Sequence, residues 1–257
     1  MTLPMKEYPI LEFDQNREAI LEPRRNIEQI DISECCVITF FRDVIEKKKE
    51  AGLLRQVAVM RSETVDLPIY ETFYQGNRIC LVLGFVGSAG SAGELEELIA
   101  FGCRKFIVCG GAGVLRKDIA VGHLVVPFSA VRDEGTSYHY VRPSREIECN
   151  PIALEIIEKH LLALNIPYIK AKTWTTDAFY RETRDKIAIR TSEGCVTVEM
   201  EAAAFFAVAR FRNVVLGQIL YGGDDLSGSV WDGRQWNSRK QIRENLVDLS
   251  LEICLLL

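Results

Sequence analysis

Residues 79–113 constrain this chain more than any other stretch. An apolar run, Ile79-Cys80-Leu81-Val82-Leu83, leads into the small-residue segment Gly84-Phe85-Val86-Gly87-Ser88-Ala89-Gly90-Ser91-Ala92-Gly93. Glu94 to Phe101 then suits a helix. A second apolar run, Lys105-Phe106-Ile107-Val108-Cys109, ends in a second cluster, Gly110-Gly111-Ala112-Gly113. Residues 84–113 hold eight of the eighteen glycines. Strand, glycine loop, helix, strand, glycine loop is an order that opens a crevice at the carboxyl edge of an α/β sheet. Ligands bind there, and glycines let backbone N–H groups approach an anion or a sugar. The stretch is not the dinucleotide fingerprint, because no acid follows at a second strand end.

The rest of the chain supplies further strands and helices. Cys35 to Phe40 reads as a first buried strand, with a helix from Arg42 to Ala51. Val57–Met60 and Ile69–Tyr74 read as strands, and Gln75-Gly76-Asn77 as the turn of a hairpin that ends at Leu83. Gly122–Pro127, Tyr168–Trp174 and Val214–Leu220 are strand-like. Pro151–Leu164 has apolar residues near helical spacing, with Asn150 as N-cap and Pro151 in the first turn, where a missing N–H costs little. Arg239–Leu257 predicts a final amphipathic helix. Residues 1–34 are polar, carry three of the eight prolines and read as an arm over the surface. No linker divides the remainder, so residues 1–257 are expected to form a single domain.

Composition excludes several function classes. A net charge of −5 gives no nucleic-acid surface, and the basic run Lys47-Lys48-Lys49 is balanced by Glu46 and Glu50. Eight cysteines form no CxxC pair and mostly sit in apolar runs, as buried reduced thiols do. Three scattered histidines offer no metal cluster. No signal pattern opens the chain, and no apolar run reaches the ~18 residues of a membrane span. The expected partner is a small molecule, and the expected compartment is the cytoplasm.

The acids that carry chemistry lie in Thr197-Val198-Glu199-Met200-Glu201-Ala202-Ala203-Ala204-Phe205-Phe206, a strand running into an Ala-rich helix. Glu199 and Glu201, two apart, share one face of an extended chain. An acid in a first helical turn commonly serves the helix dipole alone. Here the two carboxylates sit among Val198, Met200, alanines and phenylalanines, and a buried charge needs a partner such as a ligand hydroxyl. Downstream, the strand ending at Leu220 runs into Tyr221-Gly222-Gly223-Asp224-Asp225, a sequence that also suits a turn.

Val198-Glu199-Met200-Glu201-Ala202-Ala203 resembles the ribose-binding motif of the nucleoside phosphorylase superfamily. That superfamily includes purine nucleoside phosphorylase, uridine phosphorylase and methylthioadenosine/adenosylhomocysteine nucleosidase. The glycine loops, Thr175-Thr176-Asp177-Ala178-Phe179-Tyr180 and Asp224 fall in family order, and the resemblance covers residues 35–257. It implies an α/β, phosphorylase-type fold whose central mixed sheet is partly barrel-like and flanked by helices. It implies cleavage of the N-glycosidic bond of a nucleoside, a purine nucleoside in the first place, with inorganic phosphate as co-substrate, no cofactor and no metal. Asp224 is then the acid toward the base. Glu201 holds the ribose hydroxyls, with Met200 and Glu199 beside it. Phe179, Thr176 and Val198 line the base, and Gly84, Gly111 and Arg42 meet phosphate. A homodimer, or a hexamer built from dimers, is implied as well.

The phosphate side departs from the pattern. The turn after the first strand lacks its glycine and reads Thr39-Phe40-Phe41-Arg42. Val108 and Gly111 stand where an arginine and a hydroxyl are expected, so Arg42, or a partner's Arg61, Arg78 or Arg132, has to compensate. Arg132 to Tyr140 resembles a uridine phosphorylase segment, within which His139 reads as a surface histidine. The Gln and Arg of the uracil-specific pattern do not follow Tyr180. Uridine phosphorolysis, hydrolysis by water and a non-catalytic nucleoside-binding module therefore stay open beside purine phosphorolysis.

Overall fold

The computed structural model describes residues 3–257. Along the chain lie β1 (Cys35–Thr39), β2 (Arg55–Arg61), β3 (Asp66–Tyr74), β4 (Asn77–Leu83), β5 (Lys105–Val114), β6 (Leu124–Asp133), β7 (Glu146–Glu148), β8 (Tyr168–Thr176), β9 (Cys195–Glu199) and β10 (Val215–Asp225). The helices are α1 (Pro23–Asn26), α2 (Arg42–Glu50), α3 (Ser88–Phe101), α4 (Pro151–Ala163), α5 (Arg184–Ser192), α6 (Ala202–Arg212) and α7 (Lys240–Cys254).

All ten strands belong to one mixed sheet, and part of it closes on itself. β5 pairs in parallel with β10, β10 antiparallel with β6, β6 in parallel with β8, β8 in parallel with β9, and β9 antiparallel with β5. This five-stranded ring is extended from β5 through β1, β4, β3 and β2. Side chains alternate between two buried faces, as strands covered on both sides require. Cys36, Ile38, Phe106 and Val108 face α3 and α6, packing with Leu95, Leu98, Ala203 and Phe206. Val37, Ile107 and Cys109 face the other way, toward Ile157 of α4 and Leu246, Val247 and Leu251 of α7.

Local signals hold where the sequence states them directly. Asn150 caps α4, its side chain accepting from Ile152 N–H and Ala153 N–H. Gln75 and Gly76 turn the β3–β4 hairpin with positive φ at both. The arm packs on its own chain: Ile30 N–H donates to Phe101 O, and Arg212 bridges Glu22 of the arm and Glu96 of α3.

Three glycine-rich stretches differ from expectation. Only Gly84–Gly87 is a loop; the helix begins at Ser88, because Gly87 at φ +94° makes the turn. Gly110–Gly113 is the second half of β5, held extended by β10 on one side and β9 at its end. Gly222–Asp225 likewise continues β10 rather than turning. In both strands, pairing with distant strands overrides the turn preference of glycine and aspartate. β7 and α5 carry no sequence signal strong enough to have been expected.

Candidate active site

Glu199 ends β9, and Glu201 stands at the N-cap of α6. Both are buried, 7% and 6% exposed, yet their partners differ in kind. Glu199 is saturated by the protein. Its Oε1 accepts from Thr175 Oγ1 at 2.6 Å, and its Oε2 accepts from Glu201 N–H at 2.8 Å and Ala202 N–H at 2.6 Å. Thr175 in turn accepts Ala203 N–H at 3.0 Å. Parallel pairing of β8 with β9 sets Thr175 beside Glu199. Glu199 thereby satisfies the otherwise unpartnered N–H groups of a helix start.

Glu201 faces the glycine loop. Its Oε1 accepts Gly87 N–H at 2.7 Å, and its Oε2 accepts only Met200 N–H, at a longer 3.3 Å. Ser88 Oγ donates to Met200 O at 2.7 Å, so the start of α3 is tied to the start of α6 at two points. Burial pushes both glutamates up from the ordinary carboxylate range; the charge of Glu199 adds to the rise of Glu201, and that of Glu134 to the rise of Glu199. Glu201 thus keeps an oxygen with spare acceptor capacity in a dry setting, which is what a pair of sugar hydroxyls can use.

Asp224 lies near the end of β10. Its Oδ2 accepts from Trp231 Nε1 at 2.7 Å, and Arg234 binds its carbonyl at 3.3 Å. Its Oδ1 points at Gly113: a Cβ there would lie 3.6 Å from that oxygen and 3.0 Å from Val198 Cγ1. The ring therefore brings Asp224, Val198 and Gly113 to one spot. The neighbouring Asp225 is engaged differently, accepting Ser227 N–H and bridging to Asp232. Phe179, 49% exposed, packs on Tyr180 with ring centroids 4.1 Å apart. Thr176 is buried, and its hydroxyl accepts Ala178 N–H at the head of that turn. Arg184 donates to Ser229 O, joining the turn to the loop that carries Trp231. Glu182, between Phe179 and Arg184, is pushed up to about 7 by burial and then by Asp224.

The expected phosphate residues do not come together. Gly84 follows β4, and a Cβ on it would strike Phe40 Cε1 at 2.8 Å. The same ring would meet a Cβ on Gly110 at 3.0 Å, so Gly84 is joined to Gly110 through Phe40. Gly111 faces the opposite side, against Tyr221 at 3.2 Å. Arg42 is exposed on the first turn of α2. Arg132 is buried and bonded to Ser137, Ser144 and Arg142 O, and Arg78 pairs with Glu71 and Asp31. Within the chain these two are engaged by their own hydrogen bonds and ion pairs. Arg61 and His139 instead border a hollow of about 860 Å³ between the arm and α3, which includes neither Glu201 nor Asp224.

Sequence reasoning missed Gly87, Ser88, Thr175 and Phe40. Thr175 had a legible signal, as the neighbour of Thr176 in the quoted segment. The others depend on which loops meet in space. Among the described residues, no group of three or more His, Cys, Asp or Glu side chains could hold a metal ion, and no helix is long and apolar enough to cross a membrane.

Comparison with known proteins follows this geometry. Residues 38–252 match the family described as the phosphorylase superfamily. A guanosine phosphorylase of Halorubrum lacusprofundi is 26% identical over 202 residues, covering 77% of this chain and 81% of the relative. A purine nucleoside phosphorylase of Plasmodium falciparum is 25% identical over 216 residues, covering 80% and 87%. Among solved structures, a uridine phosphorylase of Vibrio fischeri superposes with a TM-score of 0.72 at 23% identity, over 89% of this chain and 92% of that one. A purine nucleoside phosphorylase of Toxoplasma gondii in complex with immucillin-H gives 0.73 at 19% identity, over 87% and 91%.

Proposed function

The chain belongs to the phosphorylase superfamily, and on that premise we propose that it cleaves the N-glycosidic bond of a purine nucleoside, releasing the free base by pentosyl transfer. The observation that carries this is the division of labour between the two glutamates. Glu199 is consumed in holding the head of α6, while Glu201, fixed by Gly87 N–H, keeps acceptor capacity for the ribose 2′- and 3′-hydroxyls.

Asp224 is the group assigned to hydrogen-bond the departing base. Trp231 fixes one of its oxygens and leaves the other facing Val198 and Gly113. Help to the leaving group of this kind contributes about 10²–10⁴ in rate. Phe179 offers a half-exposed ring on which a base can stack. The uracil-reading Gln and Arg are absent after Tyr180, which favours a purine. Phosphate is the acceptor that the relatives' names imply, giving ribose 1-phosphate. Water would give free ribose, and the choice rests on the crevice beside Phe40.

A nucleoside panel assayed for base release, with and without phosphate, tests the reading. Release from inosine, guanosine or adenosine ahead of uridine supports it. Tight nucleoside binding with no release under any condition would replace it with a binding module.

A further inference from the structure

We propose that this chain passes the pentosyl group to water in preference to phosphate, and that Phe40 enforces the choice by filling the anion side of the site. The inference rests on the N-glycosidic cleavage proposed above and concerns only its second half.

An anion accepted at the carboxyl ends of β1, β4 and β5 needs free N–H donors and a cation. Five N–H groups around the crevice are already committed to acceptors of the chain itself. Phe40 N–H donates to Cys109 O at 3.3 Å, and Gly84 N–H to Thr39 O at 2.8 Å. Phe41 N–H is directed at Thr39 Oγ1 at 3.4 Å. Phe85 N–H donates to Glu94 Oε2 at 2.8 Å, and Gly87 N–H to Glu201 Oε1 at 2.7 Å. The space itself is taken by the Phe40 ring, which lies against both Gly84 and Gly110. Val108 in β5 is fully buried toward α3 and α6, and it brings no charge.

Glu94 is buried at 5% exposure, and its Oε1 has no partner. Glu94 is among the groups that raise the carboxyl of Glu201. Neutral water, unlike a phosphate dianion, needs no cationic clamp and little space. In the step, the C1′–N bond breaks with its electron pair going to the base. Water oxygen bonds to C1′, and the proton lost by water balances the one gained by the base. The products are free ribose and free base.

The chain is incubated with the purine nucleoside that the panel selects, with and without saturating phosphate, and the sugar product is identified. Free ribose, formed at a rate that phosphate does not change, is expected. Ribose 1-phosphate as the main product would overturn the inference while leaving the cleavage reading intact. No base release at all would remove both. Phe40→Gly, with Phe40→Ala as the milder truncation should the glycine variant fail to fold, is expected to open the crevice. Phosphate should then raise the rate by about tenfold, the worth of one recovered charge-assisted contact, with ribose 1-phosphate appearing. A folded truncation variant that stays indifferent to phosphate would show that Phe40 does not set the acceptor.

Discussion

Glu201 accepts the backbone N–H of Gly87 at 2.7 Å, so the head of α6 and the turn into α3 form one unit across 114 residues of sequence. The same carboxylate that is read as the ribose acceptor also holds the loop beside it. A substitution there separates charge from shape. Above about pH 8, where Glu201 is ionised, Glu201→Gln keeps an acceptor for Gly87 N–H and removes the charge. The variant is expected to fold and to bind nucleoside about 10- to 100-fold more weakly, as the loss of a charge-assisted bond of ~1.5–3 kcal/mol implies. Titration calorimetry with a poorly cleaved nucleoside measures this. Unchanged affinity in the folded variant would remove the ribose role.

Thr175→Val is expected to act on stability instead. It leaves Glu199 Oε1 and Ala203 N–H without the hydroxyl that joins them. Two buried polar groups lose a partner, which costs roughly 1–3 kcal/mol each. A lowered unfolding midpoint in urea with unchanged slope is the expected result. Unaltered stability would mean that α6 does not depend on this bridge.

Asp224→Asn should slow cleavage of purine nucleosides by about 10²–10⁴ while sparing a nucleoside whose leaving group needs no protonation. Trp231→Phe removes the hydrogen bond to Oδ2 and should reproduce part of the loss on purine nucleosides alone. Steady-state rates on the two substrate types decide it. Equal slowing of both by Asp224→Asn would make the residue structural.

Stability should fall with rising pH in a window set by Glu94. Burial pushes its carboxyl from 4.5 up to about 8. The folded chain therefore holds a proton that the unfolded chain has already released across that interval. The proton's contribution is complete below about pH 4.5 and is lost as pH rises through about 8. Glu199 and Glu201 shift in the same direction and add to the trend. Glu94→Gln cannot ionise, so its unfolding midpoint should change less between pH 5 and pH 8 than that of the unaltered chain. Parallel pH profiles for the two proteins would place Glu94 outside this linkage.

What the sequence made legible was local. Val198 to Ala203 announces a strand end, two acids and a helix start in six consecutive residues, and Asn150-Pro151 announces α4 in two. The glycine clusters misled because glycine in isolation signals a turn, and only closure of the ring holds Gly110–Gly113 and Gly222–Gly223 extended. Thr175 lay beside a residue already singled out. Its role depends on the register of β8 against β9, which no local pattern encodes. Phe40 marked a missing glycine in the sequence, but that its ring reaches Gly84 and Gly110 at once is a fact of three strand ends meeting.

The closed ring also governs the order in which a nascent chain can become competent. β10 follows β5 and β6 in the chain, and it enters the ring between them. Until it docks, β5 and β6 each expose an edge, and Asp224 is absent from the site. Such long-range closure is slow compared with local helix formation. Ribosome-bound chains that stop short of residue 225 should therefore hold the Glu201 side of the pocket without the Asp224 side, and present open strand edges to chaperones.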